Sequence, residues 1–261
     1  MGGSETPRSP FAVLSGAPAP RPLRTLSAQE IEQVLTAHRT YIETERRAGR
    51  RANFGSADLS GVHFSGLDLR RAKMDHAMLR GANLTGANLQ KANLIGAHLQ
   101  QARLAGANLA DARLSGANLV AANLDNACFV GADMEFVLMT KAVLRGASLH
   151  GADMSGAILD AATLTRADLR AVNLRGAGFR DAQLDEADLR EARLGGAYLA
   201  GATLRGADLR GAYLRLASFE NVDLTDADLR GAEGLTQAQL DKARCRTGTK
   251  LPDGLKETRD G

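Results

Sequence analysis

From Phe54 to Leu229 every fifth residue of this 261-residue chain is Leu, Phe or Met, and the register never slips. The 36 positions hold 27 Leu, five Phe and four Met. A second constant position lies two residues before each of them. It is Ala in 31 cases, with Val62, Leu67, Val137, Val172 and Val222 in the others. A period of five matches neither the 3.6 of a helix nor the 2.0 of an ordinary strand. Only a repeat architecture accommodates it.

If one large and one small residue of each five point inward, the backbone must turn a corner once per unit. Four corners close a square coil of twenty residues, and stacked coils make a solenoid. The large residue fills the axis, and Ala stands where the wall comes close. Gly occupies the corner position in only 17 of the 36 units. The expectation is therefore that some corners use a turn type that accepts side chains without positive φ.

The unit reads A-(D/N)-L-x-G, as in Ala82-Asn83-Leu84-Thr85-Gly86 and Ala207-Asp208-Leu209-Arg210-Gly211. On these residues the chain resembles the pentapeptide-repeat family over about 52–231. The resemblance implies an all-β solenoid, a right-handed quadrilateral β-helix. Its 36 units would make about nine coils, a rod ~43 Å long at about 4.8 Å per strand spacing.

The flanks read differently. Residues 1–25 are rich in Pro, Gly, Ser and Ala and are expected to be a disordered leader whose removal is harmless. Residues 26–48 read as an N-terminal amphipathic capping helix, running from Ser27 to about Arg47. Ser27 and Glu30 form a capping box and Leu26 and Ile31 a staple; Val34, Leu35, His38 and Ile42 share a face with Ile31. Residues 232–261 read as a C-terminal cap and tail with a short helix, in which Thr236 and Gln239 repeat the capping box and Pro252 ends any helix. Each Leu-size core residue contributes about 1.5–3 kcal/mol, yet a thin core succeeds only with its ends covered.

No apolar run approaches the ~20 residues of a membrane span, and no signal peptide is evident. Cys128 and Cys245 lack metal-type spacing, and the expected location is cytoplasmic. The formal charge of +3 hints at anionic partners, but residues 51–231 hold 20 acidic and 20 basic side chains.

Residues twenty apart stack on one face, which turns the sequence into a surface map. Arg170, Arg190, Arg210 and Arg230 form a column beside Asp168, Asp188, Asp208 and Asp228. This charged face reads either as an anion-binding ladder or as two columns that neutralise each other. Val120, Leu138 and Ile158 share a second face, with Phe136 at the adjacent corner. That patch is a candidate site for a protein partner or for a homodimer. Outward Asn residues such as Asn83, Asn88, Asn93, Asn108, Asn118 and Asn123 read as wall positions that hydrogen-bond locally. His76 and His98 would lie about a coil apart, but no carboxylate or Cys completes a metal set.

The residues therefore predict no catalytic site, no cofactor and no metal: a scaffold that binds an unknown protein partner. The family resemblance adds an alternative. Some members mimic duplex DNA, bind DNA gyrase or a related topoisomerase, and protect it from quinolones. Duplex DNA carries one charge per ~1.7 Å, so a ~43 Å mimic would present about 25 negative charges. The neutral solenoid does not, which ranks gyrase below an unknown protein. Binding of nucleic acid through the Arg column is disfavoured by the adjacent Asp column and the scarcity of aromatics.

Overall fold

The computed structural model describes residues 23–244 and 246–256. The leader up to residue 22, Cys245 and the last five residues lie outside them. The dominant regularity is a parallel pairing of each wall with the wall twenty residues on, from Asn53↔Lys73 to Tyr213↔Glu233. Each wall contributes one paired residue per coil, too short a run to count as a strand. The axial Leu, Phe and Met and the Ala positions from Ala72 to Ala227 are buried. Two of the less typical inner positions, Val62 and Leu67, are only partly buried, and both lie in the first coil.

Backbone bookkeeping explains the repeat. In the unit that starts at Leu84, the Leu84 N–H donates to Arg103 O (2.7 Å) and the Gly86 N–H to Ala105 O (2.9 Å). The Asn88 N–H reaches back to Leu67 O (2.9 Å), and the Ala87 N–H closes the turn on Leu84 O (3.0 Å). One donor is left, the Thr85 N–H. It goes to the Asn83 side-chain oxygen at 3.2 Å. The Asp/Asn position of the unit thus satisfies the one N–H that the ladder omits, which is costly to leave unpaired near the wall. The same bond is made by Asn88, Asn93, Asn108, Asn118 and Asn123. Where Val143, Gly178 or Thr203 replaces it, the donor turns to Asp125, Asp160 or Asp185 one coil earlier.

The corners correct the sequence expectation. All 36 have positive φ: 17 glycines and 19 residues with side chains, among them Arg71 (63°), Phe136 (54°) and Leu216 (61°). With positive φ only at the third residue and a bond from the fourth to the first, these are type II turns throughout. A left-handed conformation costs a side-chain residue about 1–2 kcal/mol. The inter-coil ladder overrides that cost, because a different turn at one corner would break the bonds to both neighbouring coils.

The N-terminal end is covered by β1 (Arg24–Thr25) and α1 (Ala28–Glu43). β1 pairs in parallel with β2 (Ala57–Asp58), so two residues that composition assigns to the disordered leader are part of the fold. A cut at residue 25 would remove that pairing. The capping box forms: the Ser27 hydroxyl accepts from the Glu30 N–H, and Glu30 accepts from the Ser27 N–H at 2.7 Å. Leu26, Ile31, Val34 and Leu35 pack against the core. The helix ends at Glu43 rather than near Arg47. Glu45 and Arg46 turn left-handed (φ 52° and 76°), and the Arg46 N–H returns to Tyr41 O.

His38, 1% exposed, joins α1 to the first coil. Its Nδ1 accepts the Ala52 N–H at 3.1 Å, and its ring stacks on Tyr41. Burial is the main reason its pKa is lowered; Asp68 opposes that shift, and Arg70 and Arg51 add to it. Protonation would remove the acceptor and bury a charge. A group with a depressed folded pKa gives stability that is complete above its unfolded pKa and is lost on acidification. The melting temperature should therefore fall as pH drops below the unfolded value of 6.5. A His38→Gln variant should lose that slope between pH 7 and 5. An identical slope in the variant would mean that His38 does not carry it.

At the other end, α2 (Gln237–Leu240) follows a capping box between Thr236 and Gln239. The chain then adds a last layer of bonds: Asn221 N–H to Lys242 O, Asp226 N–H to Thr247 O, and Leu229 N–H to Lys250 O. Asp223, 3% exposed, ties this layer to the rod through Arg205 (2.8 Å) and Arg244 (3.3 Å). Burial alone would raise its pKa, but bonds from Thr225 and Arg205 bring it down to about 2.

Candidate interaction surfaces

Two surfaces stand out on the polar rod. The first lies on the wall centred on Leu119, Met139, Leu159 and their counterparts. Asn118, Leu138, Ile158, Gly178 and Tyr198 stack along it as successive bridge partners. Leu138 and Val120 are half-buried against neighbouring side chains, while Ile158 and Phe136 are 40% and 65% exposed. Phe136 stands at the corner that enters this wall. Its ring folds over the next corner, where a Cβ on Gly156 would come within 2.6 Å of it. The four sequence-predicted residues thus occupy one wall and its edge.

Sequence reasoning missed two members of this surface. Tyr198 (62% exposed) lies two coils beyond Ile158 on the same wall. Leu216 (78% exposed) lies four coils beyond Phe136 in the same corner column. Between Phe136 and Leu216 that column is Gly156, Gly176 and Gly196, and a Cβ at Gly176 or Gly196 would meet nothing within 4 Å. The twenty-residue rule contained this signal, since 158, 178 and 198 share a column, as do 136 and 216. The result is a strip of apolar side chains, crossed at Gly178 by the Asp160 carboxylate, beside an edge left bare at Gly176 and Gly196 and spanning four coil steps, roughly 19 Å at the usual strand spacing.

The second surface is the wall of Asp168 and Arg170. Each Arg folds back onto the Asp two residues earlier: Arg170–Asp168 at 2.7 Å, and Arg190–Asp188, Arg210–Asp208 and Arg230–Asp228 at 2.6 Å. Nε of Arg170 and Arg190 also approaches Asp188 and Asp208 of the next coil at 3.6 Å. Each of these Asp residues also accepts its Arg backbone N–H, the bond that Asn makes elsewhere. The guanidinium bonds hold Asp168, Asp208 and Asp228 below the usual carboxylate range and push Arg170, Arg190, Arg210 and Arg230 up. The geometry is that of a zipper closed on itself, and its guanidinium forks are already occupied by carboxylates.

Among the described residues no group of three or more His, Cys, Asp or Glu is placed to hold a metal ion, and no helix is long and apolar enough to cross a membrane. His76 lies over Gly96 at a corner, while His98 sits in a wall beside Met78.

Comparison with known proteins places this geometry. The family profile for pentapeptide repeats matches eight copies, in residues 50–86, 87–126, 97–135, 127–166, 162–199 and 192–231. Among solved structures, trypsin-treated QnrB1, a plasmid-mediated fluoroquinolone resistance protein, superposes with a TM-score of 0.58 at 22% identity, covering 74% of this chain and 91% of QnrB1. HetL, a pentapeptide repeat protein involved in heterocyst differentiation regulation from Nostoc sp. strain PCC 7120, shares 28% identity over 87% of this chain and 94% of its own, with a TM-score of 0.30. A pentapeptide repeat protein of the Arabidopsis thaliana thylakoid lumen shares 35% identity over 33% of this chain and 70% of its own, with a TM-score of 0.17. A search of curated proteins gave no match. At its level of identity QnrB1 speaks for the fold alone, the right-handed quadrilateral β-helix. With the repeat matched across most of its length, the chain belongs to the pentapeptide-repeat family.

Proposed function

We infer that this protein is a non-catalytic binding rod of about nine coils, capped at both ends, which presents the apolar strip to a protein partner. The observation that carries this reading is the strip itself: Phe136, Ile158, Tyr198 and Leu216 are exposed together on one wall and its edge. Scattered surface hydrophobes need no explanation, but apolar side chains aligned on one wall and its edge offer area that a partner can bury. The axis is filled by side chains, which leaves no internal cleft for a substrate. The zipped Arg/Asp wall supports mutual neutralisation over anion capture.

Gyrase is the less favoured partner. Counted with the corner that follows it, the wall of Phe54 carries 4 acidic and 5 basic residues, that of Leu59 carries 4 and 3, that of Phe64 carries 5 and 4, and that of Leu69 carries 7 and 7. No wall approaches the about 25 charges that a duplex of this length would show.

The test replaces Phe136 and Tyr198 with Ser. Both are exposed, so the stability should change by less than about 0.5 kcal/mol, as for ordinary surface positions. Capture of a native partner, or self-association in sedimentation, should fall at least tenfold, about 1.4 kcal/mol. Undiminished binding by the double variant would refute use of the strip. Inhibition of gyrase supercoiling at near-stoichiometric protein would favour the alternative instead.

A further inference from the structure

A cavity of about 350 Å³ opens where the C-terminal end of α1 meets the first two coils. Its cationic wall is built by Arg46, Arg70, Arg71 and Lys91, against a single lining carboxylate, Glu45. These cations are not equivalent. Arg70 is committed to Asp68, with bonds of 2.6 and 2.9 Å. Lys91 stands 3.8 Å from Asp111. Glu45 faces Arg47 at 3.2 Å. The guanidinium groups of Arg46 and Arg71 have no hydrogen-bond or ion-pair partner among the described residues, although they line the same cavity.

The placement is local to this end of the rod. The corner column runs Arg71, Lys91, Asp111, Gly131, Gly151, so its cations are confined to the two coils beside α1. Residues 44–91 hold nine basic and four acidic side chains, against 14 and 17 in residues 92–231. Tyr41 and Ile42 of α1 line the same cavity and add aromatic and aliphatic carbon to it.

We propose that this cavity binds a phosphomonoester that carries a small apolar or aromatic body. The phosphoryl group lies between Arg46 and Arg71, with Lys91 as a third donor. The body rests on Tyr41 and Ile42. Guanidinium forks match phosphoryl oxygens in bidentate fashion, and a dianion neutralises the two uncompensated cations where a carboxylate neutralises one. The site is independent of the apolar strip, which lies on another wall and several coils away.

Calorimetric titration of the full chain with phenyl phosphate at low ionic strength tests the assignment. Binding should weaken about tenfold or more in an Arg46→Gln/Arg71→Gln double variant, the size expected for losing charge-assisted forks, and should decline with added salt. An Arg166→Gln variant, whose exposed ion pair with Glu186 lies far from the cavity, should bind as the parent does. Benzoate and inorganic phosphate should each bind more weakly, since one lacks the second charge and the other the ring. Melting temperatures of both variants verify folding. The proposal is overturned by no binding at millimolar phenyl phosphate, by equal binding in the double variant, by equal loss in Arg166→Gln, or by equal affinity for either comparison ligand.

Discussion

Replacing Leu124 with Asp should unfold the middle of the rod. Leu124 is fully buried on the axis, between Leu104 and Leu144 of the adjacent coils. The change forfeits about 1.5–3 kcal/mol of apolar burial. It also places a carboxylate where no partner exists, a penalty of several kcal/mol even after relaxation. A domain holds only about 5–15 kcal/mol in total, so the sum approaches the whole. In a solenoid the damage falls on neighbouring coils first. Circular dichroism melts and limited proteolysis should show cleavage between residues 104 and 144. Asn123→Asp, one residue away on the outer wall, keeps the oxygen that accepts the Asp125 N–H and should retain the fold. A soluble Leu124→Asp protein with the parental midpoint would refute the axial register.

Removing residues 1–48 should convert the rod into end-to-end assemblies or aggregate. The deletion strips α1 and β1 from the first coil and exposes Phe54 and Phe64, buried rings with centroids 5.7 Å apart. It also frees the Ala52 N–H held by His38 and the Ser56 carbonyl held by the Arg24 N–H. An uncovered coil end is an open strand edge over an apolar core, the arrangement that recruits another chain. A second variant keeps the chain length but changes Ile31, Val34 and Leu35 to Glu. It should behave like the deletion, because these side chains make the packing contact. Light scattering separates the outcomes. If both proteins sediment as the parent does, α1 is not what closes this end.

Much of this architecture is legible in the residues, for a definite reason. A strict period of five assigns each residue to axis, wall or corner, and the twenty-residue stack then places side chains relative to one another. The Asp168–Arg170 zipper, the Leu138–Ile158 column and the local bonds of Asn83 and Asn123 all follow from that arithmetic. What it does not give is energetic. Glycine content suggested mixed corners, yet Phe136, Leu216 and Arg71 adopt the left-handed turn because bonds to two coils leave no other choice. Tyr198 and Leu216 lie two and four coils beyond Ile158 and Phe136, and Gly178 in one column and Gly156, Gly176 and Gly196 in the other interrupt the apolar signal. Arg24–Thr25 has no period of its own and is ordered only by the coil it joins. The cavity beside Arg71 needed the angle of α1, which no repeat encodes.

The twenty-residue pitch makes the rod behave like a gear. Deleting a single residue inside it would move every later axial Leu to the surface, so such changes should be nearly absent among functional variants. Five residues are a different matter. Adding one unit keeps each side chain's inward or outward sense but rotates everything beyond it by a quarter turn. Asp168 and Arg170 would leave the wall of Asp68 and Arg70, while the core remained intact. Adding twenty lengthens the rod and restores every alignment. Duplication of repeat units therefore offers such a protein a way to redistribute its outer chemistry among four directions in discrete steps.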